Sequence, residues 1–118
     1  MSKSRRDQDF VLDIQEAIQR ILEYTAGMDW ERFIIDYKTQ DAVVRNLEII
    51  GEAAKNISDD LRQQYPEIPW KDMAGTRDRL MHHYFGVNQE IVWQIVREDL
   101  PTLVEKIDVI LNEVGGEN

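Results

Sequence analysis

Both histidines of the chain and two of its arginines fall inside eight residues, Arg77-Asp78-Arg79-Leu80-Met81-His82-His83-Tyr84. Histidine exchanges its proton near neutral pH, so it can serve as a general acid or base in the working range. Arginine carries a permanent charge on a planar fork that matches phosphate oxygens. The two together are a minimal kit for breaking a phosphodiester without a metal. The histidine handles the proton at a 2′-hydroxyl or at the leaving oxygen, and the arginine stabilises the charge of a phosphorane-like transition state. A structural reading accounts for the same residues. Histidines near a helix end complement its dipole when protonated, and Arg77 or Arg79 can pair with Asp72, Asp78 or another nearby carboxylate. Metal ligation fits less well, because adjacent histidines point about 100° apart on a helix and no third ligand sits at helical spacing. The carboxylate pairs Asp59-Asp60 and Glu98-Asp99 read as solvated surface or helix caps. The chain carries no Gly-rich phosphate loop, nucleophile elbow or dinucleotide fingerprint, so neither a metal nor a cofactor is expected.

Composition bounds what surrounds this segment. The 118 residues suit a single domain, 1–118, that buries about two-thirds of its unfolded surface. With no cysteine, disulfides, zinc–thiolate sites and thiol nucleophiles are excluded. Lys and Arg number 14 against 23 Asp and Glu, a formal charge of -9. Coating DNA needs many cations against phosphates, so a general polyanion binder is excluded, whereas one small basic site is not. Hydrophobic content of 42% argues against disorder. No stretch reaches the roughly 18–20 uncharged apolar residues that span a bilayer, and no apolar run follows the charged start as in a secretory signal. A cytoplasmic protein with no membrane partner is expected.

The elements that must position the cluster read as helices. Phe10, Val11, Ile14, Ala17, Ile18, Ile21 and Leu22 form one helical stripe, with Asp7 or Asp9 as its cap and Gly27 as its stop. A short helical piece, Trp30 to Tyr37, leads into a second stripe, Val43, Val44, Leu47, Ile50, Gly51, Ala54 and Ile57. Gly51 inside that stripe costs about 1 kcal/mol of propensity, which suggests close packing rather than a stop. Asp59 to Trp70, with Pro66 and Pro69, reads as a connector. Helix is expected again from Lys71 to Phe85, capped by Gly86, and once more from Asn88 to Val114. Pro101 should kink or restart that last helix, with Asp99 as the new cap. Residues 1–6 and 115–118 are expected to fray. The result is an all-α antiparallel bundle of four or five helices.

On the residues themselves the sequence resembles a known family. Arg77-x-x-x-x-His82-x-Tyr84 resembles the motif of HepT-like proteins, toxins of the HEPN superfamily. The stretch Val44 to Ala54, the run Tyr84-Phe85-Gly86-Val87-Asn88, then Ile91-Val92-Trp93 and Leu100-Pro101-x-Leu103 look like the family's other segments in the right order. The resemblance implies a HEPN-like homodimer whose motifs line a shared cleft. It implies a metal-independent endoribonuclease leaving a 2′,3′-cyclic phosphate, with RNA as substrate and DNA not expected. By position, Arg77 becomes the phosphate-stabilising arginine and His82 the general acid/base. Asp78 becomes the polar residue that orients the histidine or the RNA. Tyr84 matches the tyrosine that a cognate MNT-type nucleotidyltransferase antitoxin modifies with AMP, placing a bulky anion at the cleft. Glu52, on the helix expected to face the motif, is a candidate for orienting Arg77, and equally an ordinary exposed glutamate.

Spacing and resemblance disagree on one point. On an ideal helix Arg77 and His82 lie about 140° apart, whereas Arg77 and Tyr84 share a face and Arg79 with His83 is the better local pair. The resemblance favours His82, which then needs a distorted last turn or a partner chain. The competing functional class is a non-catalytic helical module that docks a nucleotidyltransferase or a nucleotide.

Overall fold

The computed structural model describes residues 3–82 and 86–115, with side chains from 6 to 81 and from 86 to 113. Four helical arms make the core: α1 (Lys3–Tyr24), α3 (Tyr37–Lys55), the broken pair α5 (Trp70–Ala74) and α6 (Thr76–Leu80), and the run from α7 (Gln89–Gln94) into α8 (Leu100–Gly115). Short helices α2 (Trp30–Phe33) and α4 (Asp59–Gln64) fill the connections. The all-α expectation holds. A two-residue antiparallel pair, β1 (Met81–His82) with β2 (Gly86–Val87), is the strand structure among the described residues.

The apolar stripes bury as their spacing requires. From α1, Val11, Ile14, Ile18 and Ile21 meet Val43, Leu47, Ile50 and Ala54 of α3, and α8 adds Leu103, Ile107 and Ile110. Each such side chain withdrawn from water contributes roughly 1.5–3 kcal/mol, so these three helices form the frame on which the rest is hung. Gly51 acts as its position suggests. A Cβ there would stand 3.1 Å from the Met73 carbonyl oxygen, so the glycine lets α5 lie directly on α3.

Several boundaries differ from expectation. α1 starts at Lys3, so neither Asp7 nor Asp9 is its cap. Asp7 is buried and accepts hydrogen bonds from the Ser58 backbone N–H at 2.9 Å and the Ser58 hydroxyl at 2.5 Å. It thereby ties α1 to the start of α4. The stretch read as a connector contains that helix, because Ser58 accepts from the Leu61 N–H and Asp59 and Asp60 favour the first turn. Only Tyr65 to Pro69 is non-helical there, each proline excluding its predecessor from the helical region.

The disturbance expected at Pro101 takes the form of a wider turn just ahead of it. Ile95–Asp99 forms a π-turn, in which the Leu100 N–H reaches back five residues to the Ile95 carbonyl. The wider turn sits just ahead of the proline and absorbs its missing donor and its bulk, after which α8 continues. Asp99 is therefore the last residue of the π-turn, within helical backbone, rather than a cap. Among the described residues no helix is long and apolar enough to cross a membrane.

Candidate functional site

The Arg/His cluster is carried by α6 and the strand pair that follows it. Thr76 and Leu80, four apart, are buried, which turns Arg77, Asp78 and Arg79 outward into solvent. The Thr76 hydroxyl donates to the Met73 carbonyl at 2.7 Å and lies 3.2 Å from that of Asp72, so α6 is fastened to the end of α5. Gly75 forms the joint between them.

The helix expected to run to Phe85 stops at Leu80. Met81 is extended, at φ -88° and ψ 130°, and the chain turns back so that Met81 pairs with Val87 and His82 with Gly86. Gly86 has φ 75°, a left-handed conformation that closes the return, so it serves the hairpin and is not a helix cap. The Asn88 N–H donates to the Leu80 carbonyl at 2.7 Å, and the Asn88 side chain accepts from Glu90 and Ile91 N–H to start α7. Both ends of the hairpin are thus pinned to helices.

This break disposes of the helical-wheel argument. Angles of 140° or 20° between Arg77 and residues 82 or 84 apply only to an unbroken helix, as does the four-residue pairing of Arg79 with His83. Arg77 sits in the last full turn of α6, and the His82 backbone, two residues beyond that helix, is the second residue of β1. His83 and Tyr84 lie outside the described residues, as does the His82 side chain.

Asp78 is exposed beside Arg77 on α6. Glu52 is exposed on α3, next to the Gly51 contact, and the ion pair in this region is made by other residues. Arg79 Nη2 lies 4.0 Å from Asp99 Oδ2, joining α6 to the π-turn, with the two side chains 46% and 50% exposed. Sequence reasoning allowed Arg79 a carboxylate partner but did not find Asp99. The signal in the sequence was Pro101, two residues beyond Asp99, which marks a disturbance in the helix that carries it. Between these walls a groove of about 580 Å³ opens, floored by α3 and α5 and flanked by α6 and the start of α8. Among the described residues no group of three or more His, Asp or Glu is placed to hold a metal ion.

The model of the HepT-like ribonuclease family matches residues 14–110, from the buried Ile14 of α1 to the buried Ile110 of α8. The chain belongs to the HepT-like ribonuclease family. A relative in Methanocaldococcus jannaschii, named a "putative RNase", is 46% identical over 109 residues, 92% of this chain and 90% of the relative. A "probable ribonuclease HepT" of Thermococcus cleftensis is 50% identical over 104 residues, 88% of this chain and 94% of its own. A third, a "putative RNase" of Caldanaerobacter subterraneus, is 39% identical over 100 residues, 85% and 89% of the two chains. No solved structure matches the chain. The HepT-like match spans α6, the strand pair and the π-turn, so the whole arrangement around Arg77 falls inside the family's fold.

Proposed function

We propose that this HepT-like protein is a metal-independent endoribonuclease, the toxin of a toxin–antitoxin pair acting in the cytoplasm. The observation that carries the reading is the end of α6 at Leu80. It sets an exposed arginine on a short, anchored helix and starts the strand of His82 directly after it. That juxtaposition suits attack by a ribose 2′-hydroxyl on the adjacent phosphorus. As the new bond to phosphorus forms, the bond to the 5′-oxygen breaks, leaving a 2′,3′-cyclic phosphate and a 5′-hydroxyl. His82 takes the 2′-hydroxyl proton or supplies one to the departing 5′-oxygen, and Arg77 stabilises the extra charge on the phosphoryl oxygens. Asp78 and Glu52 serve as supporting residues, orienting the histidine and the arginine.

The protein acts as a homodimer whose two motifs share one cleft. A nucleotidyltransferase antitoxin of the MNT type restrains it by transferring AMP to Tyr84, whose added negative charge repels the RNA backbone. Purified protein incubated with RNA in EDTA tests the enzymatic step. Cleavage with 2′,3′-cyclic ends that disappears in Arg77→Ala is expected. A wild-type protein that leaves RNA intact overturns the nuclease reading and favours a docking module. Mass spectrometry after co-expression with a nucleotidyltransferase tests the restraint, with AMP expected on Tyr84.

A further inference from the structure

The groove beside α6 is separate from the exposed face of Arg77. Two residues along a helix is a turn of about 200°, and it is Arg79, not Arg77, that lines this cavity. Its floor is apolar, made by Leu47 and Ile50 of α3, Met73 of α5 and Leu103 of α8. Its volume of about 580 Å³ lies within the roughly 300–1,000 Å³ typical of small-ligand sites. Arg79 from α6 and Lys106 from α8 both line it, so two separate helices contribute a cation to one cavity.

The Arg79–Asp99 pair is a poor stabiliser. At 4.0 Å between half-exposed side chains, such a bridge adds little to folding stability. Both partners line the cavity, so the guanidinium there faces a carboxylate, an anion of the kind that a phosphate could replace.

Resting on the ribonuclease reading above, we propose that this groove is a nucleotide subsite for the single-stranded RNA flanking the cleaved bond. Ribose and base lie against the Met73–Leu103 floor, and Arg79 and Lys106 each contact a phosphate. Asp99 is an internal competitor that releases Arg79 when RNA enters. Asp72 and Glu98 line the same cavity with Asp99, so three carboxylates face two cations and attraction comes from two direct contacts rather than a broad field. With about 0.7 counterions released per phosphate on a single strand, the subsite contributes a log–log salt slope of only about -1.4.

The test uses a short single-stranded oligonucleotide, 2′-O-methylated throughout so that it cannot be cleaved, with binding followed by fluorescence anisotropy across salt concentrations. Arg79→Ala and Lys106→Ala are each expected to weaken binding about three- to tenfold and to flatten the slope by about 0.7. Asp99→Asn is expected to tighten binding about two- to fivefold, and to do nothing in an Arg79→Ala background. Lys55→Ala, an exposed cation on α3, is the control and should bind as wild type. Wild-type protein that cleaves RNA while Arg79→Ala and Lys106→Ala bind like the control overturns the subsite and leaves the nuclease reading standing. Binding that shifts as expected in a protein unable to cleave RNA overturns the nuclease reading and keeps the subsite. Failure of the wild type to bind the oligonucleotide overturns the subsite.

Discussion

Asp36 shows how a single side chain can set a local pH dependence. Its carboxylate caps α3, accepting from the Thr39 N–H at 3.0 Å and the Thr39 hydroxyl at 2.8 Å. The backbone hydrogen bond and then the hydroxyl hold its carboxyl below the usual 3.8, with nearby Arg32 and Lys38 adding smaller effects. A carboxyl lowered on folding stabilises the protein above its unfolded pKa, and that contribution is lost as pH falls through the folded value. The difference in melting temperature between wild type and Asp36→Ala is therefore expected to stay constant from neutral pH to about 4 and to shrink below it. A difference that persists unchanged down to pH 2 rules out the charged cap. The two histidines separate in the same single-residue way. On the assignment to His82, His82→Ala lowers the rate of RNA cleavage about 10²–10⁴-fold and His83→Ala largely spares it. Equal losses in the two variants exclude the assignment. Arg77→Ala is expected to abolish cleavage with stability within about 0.5 kcal/mol of wild type, because the side chain is exposed.

Among the elements, α5 and α6 depend on the closeness of α3. At Gly51 an alanine gains about 1 kcal/mol of helix propensity, but its methyl meets the Met73 carbonyl at 3.1 Å. That same carbonyl accepts the Thr76 hydroxyl, so it cannot yield without disturbing the start of α6. Overpacking typically costs about 1–3 kcal/mol, which outweighs the gain in propensity. Valine at 51 adds two γ-methyl groups and loses most of the propensity benefit, so Gly51→Val is expected to cost about 2 kcal/mol or more in chemical denaturation. A Gly51→Val variant as stable as wild type shows that α5 can shift freely. The packing role of Gly51 was legible because a glycine within an unbroken stripe has few other uses. The stripes of α1, α3 and α8 were legible for a related reason: burial selects the helical period directly. The end of α6 was not. Gly86 serves a helix cap and a hairpin equally well in sequence, and the hydrogen bond that decides between them joins Asn88 to Leu80. The π-turn was hidden likewise, since Pro101 announces a disturbance but not that one wider turn would absorb it.

At the scale of the whole molecule, the charge of -9 and the cluster around Arg77 pull in opposite directions. A surface of that sign repels RNA in general, so productive binding must be confined to where cations converge. Each α6 offers Arg77 at its exposed face, and bringing two copies of α6 together doubles that local charge without altering the rest of the surface. The proposed homodimer with a shared cleft would reconcile an acidic chain with an anionic substrate. It also raises a sharper question, whether each site takes Arg77 and His82 from one chain or from two. Mixing Arg77→Ala protein with His82→Ala protein, each inactive alone, separates these cases. If a site combines Arg77 of one protomer with His82 of its partner, every mixed dimer retains one site with both groups intact. With half of the dimers mixed after random exchange, and one of two sites working in each, about one quarter of wild-type cleavage returns. If both groups come from the same chain, neither site in a mixed dimer is complete and no activity returns. Sedimentation of the wild type as a monomer at concentrations where it cleaves RNA removes the shared cleft altogether, and with it the reconciliation of charge.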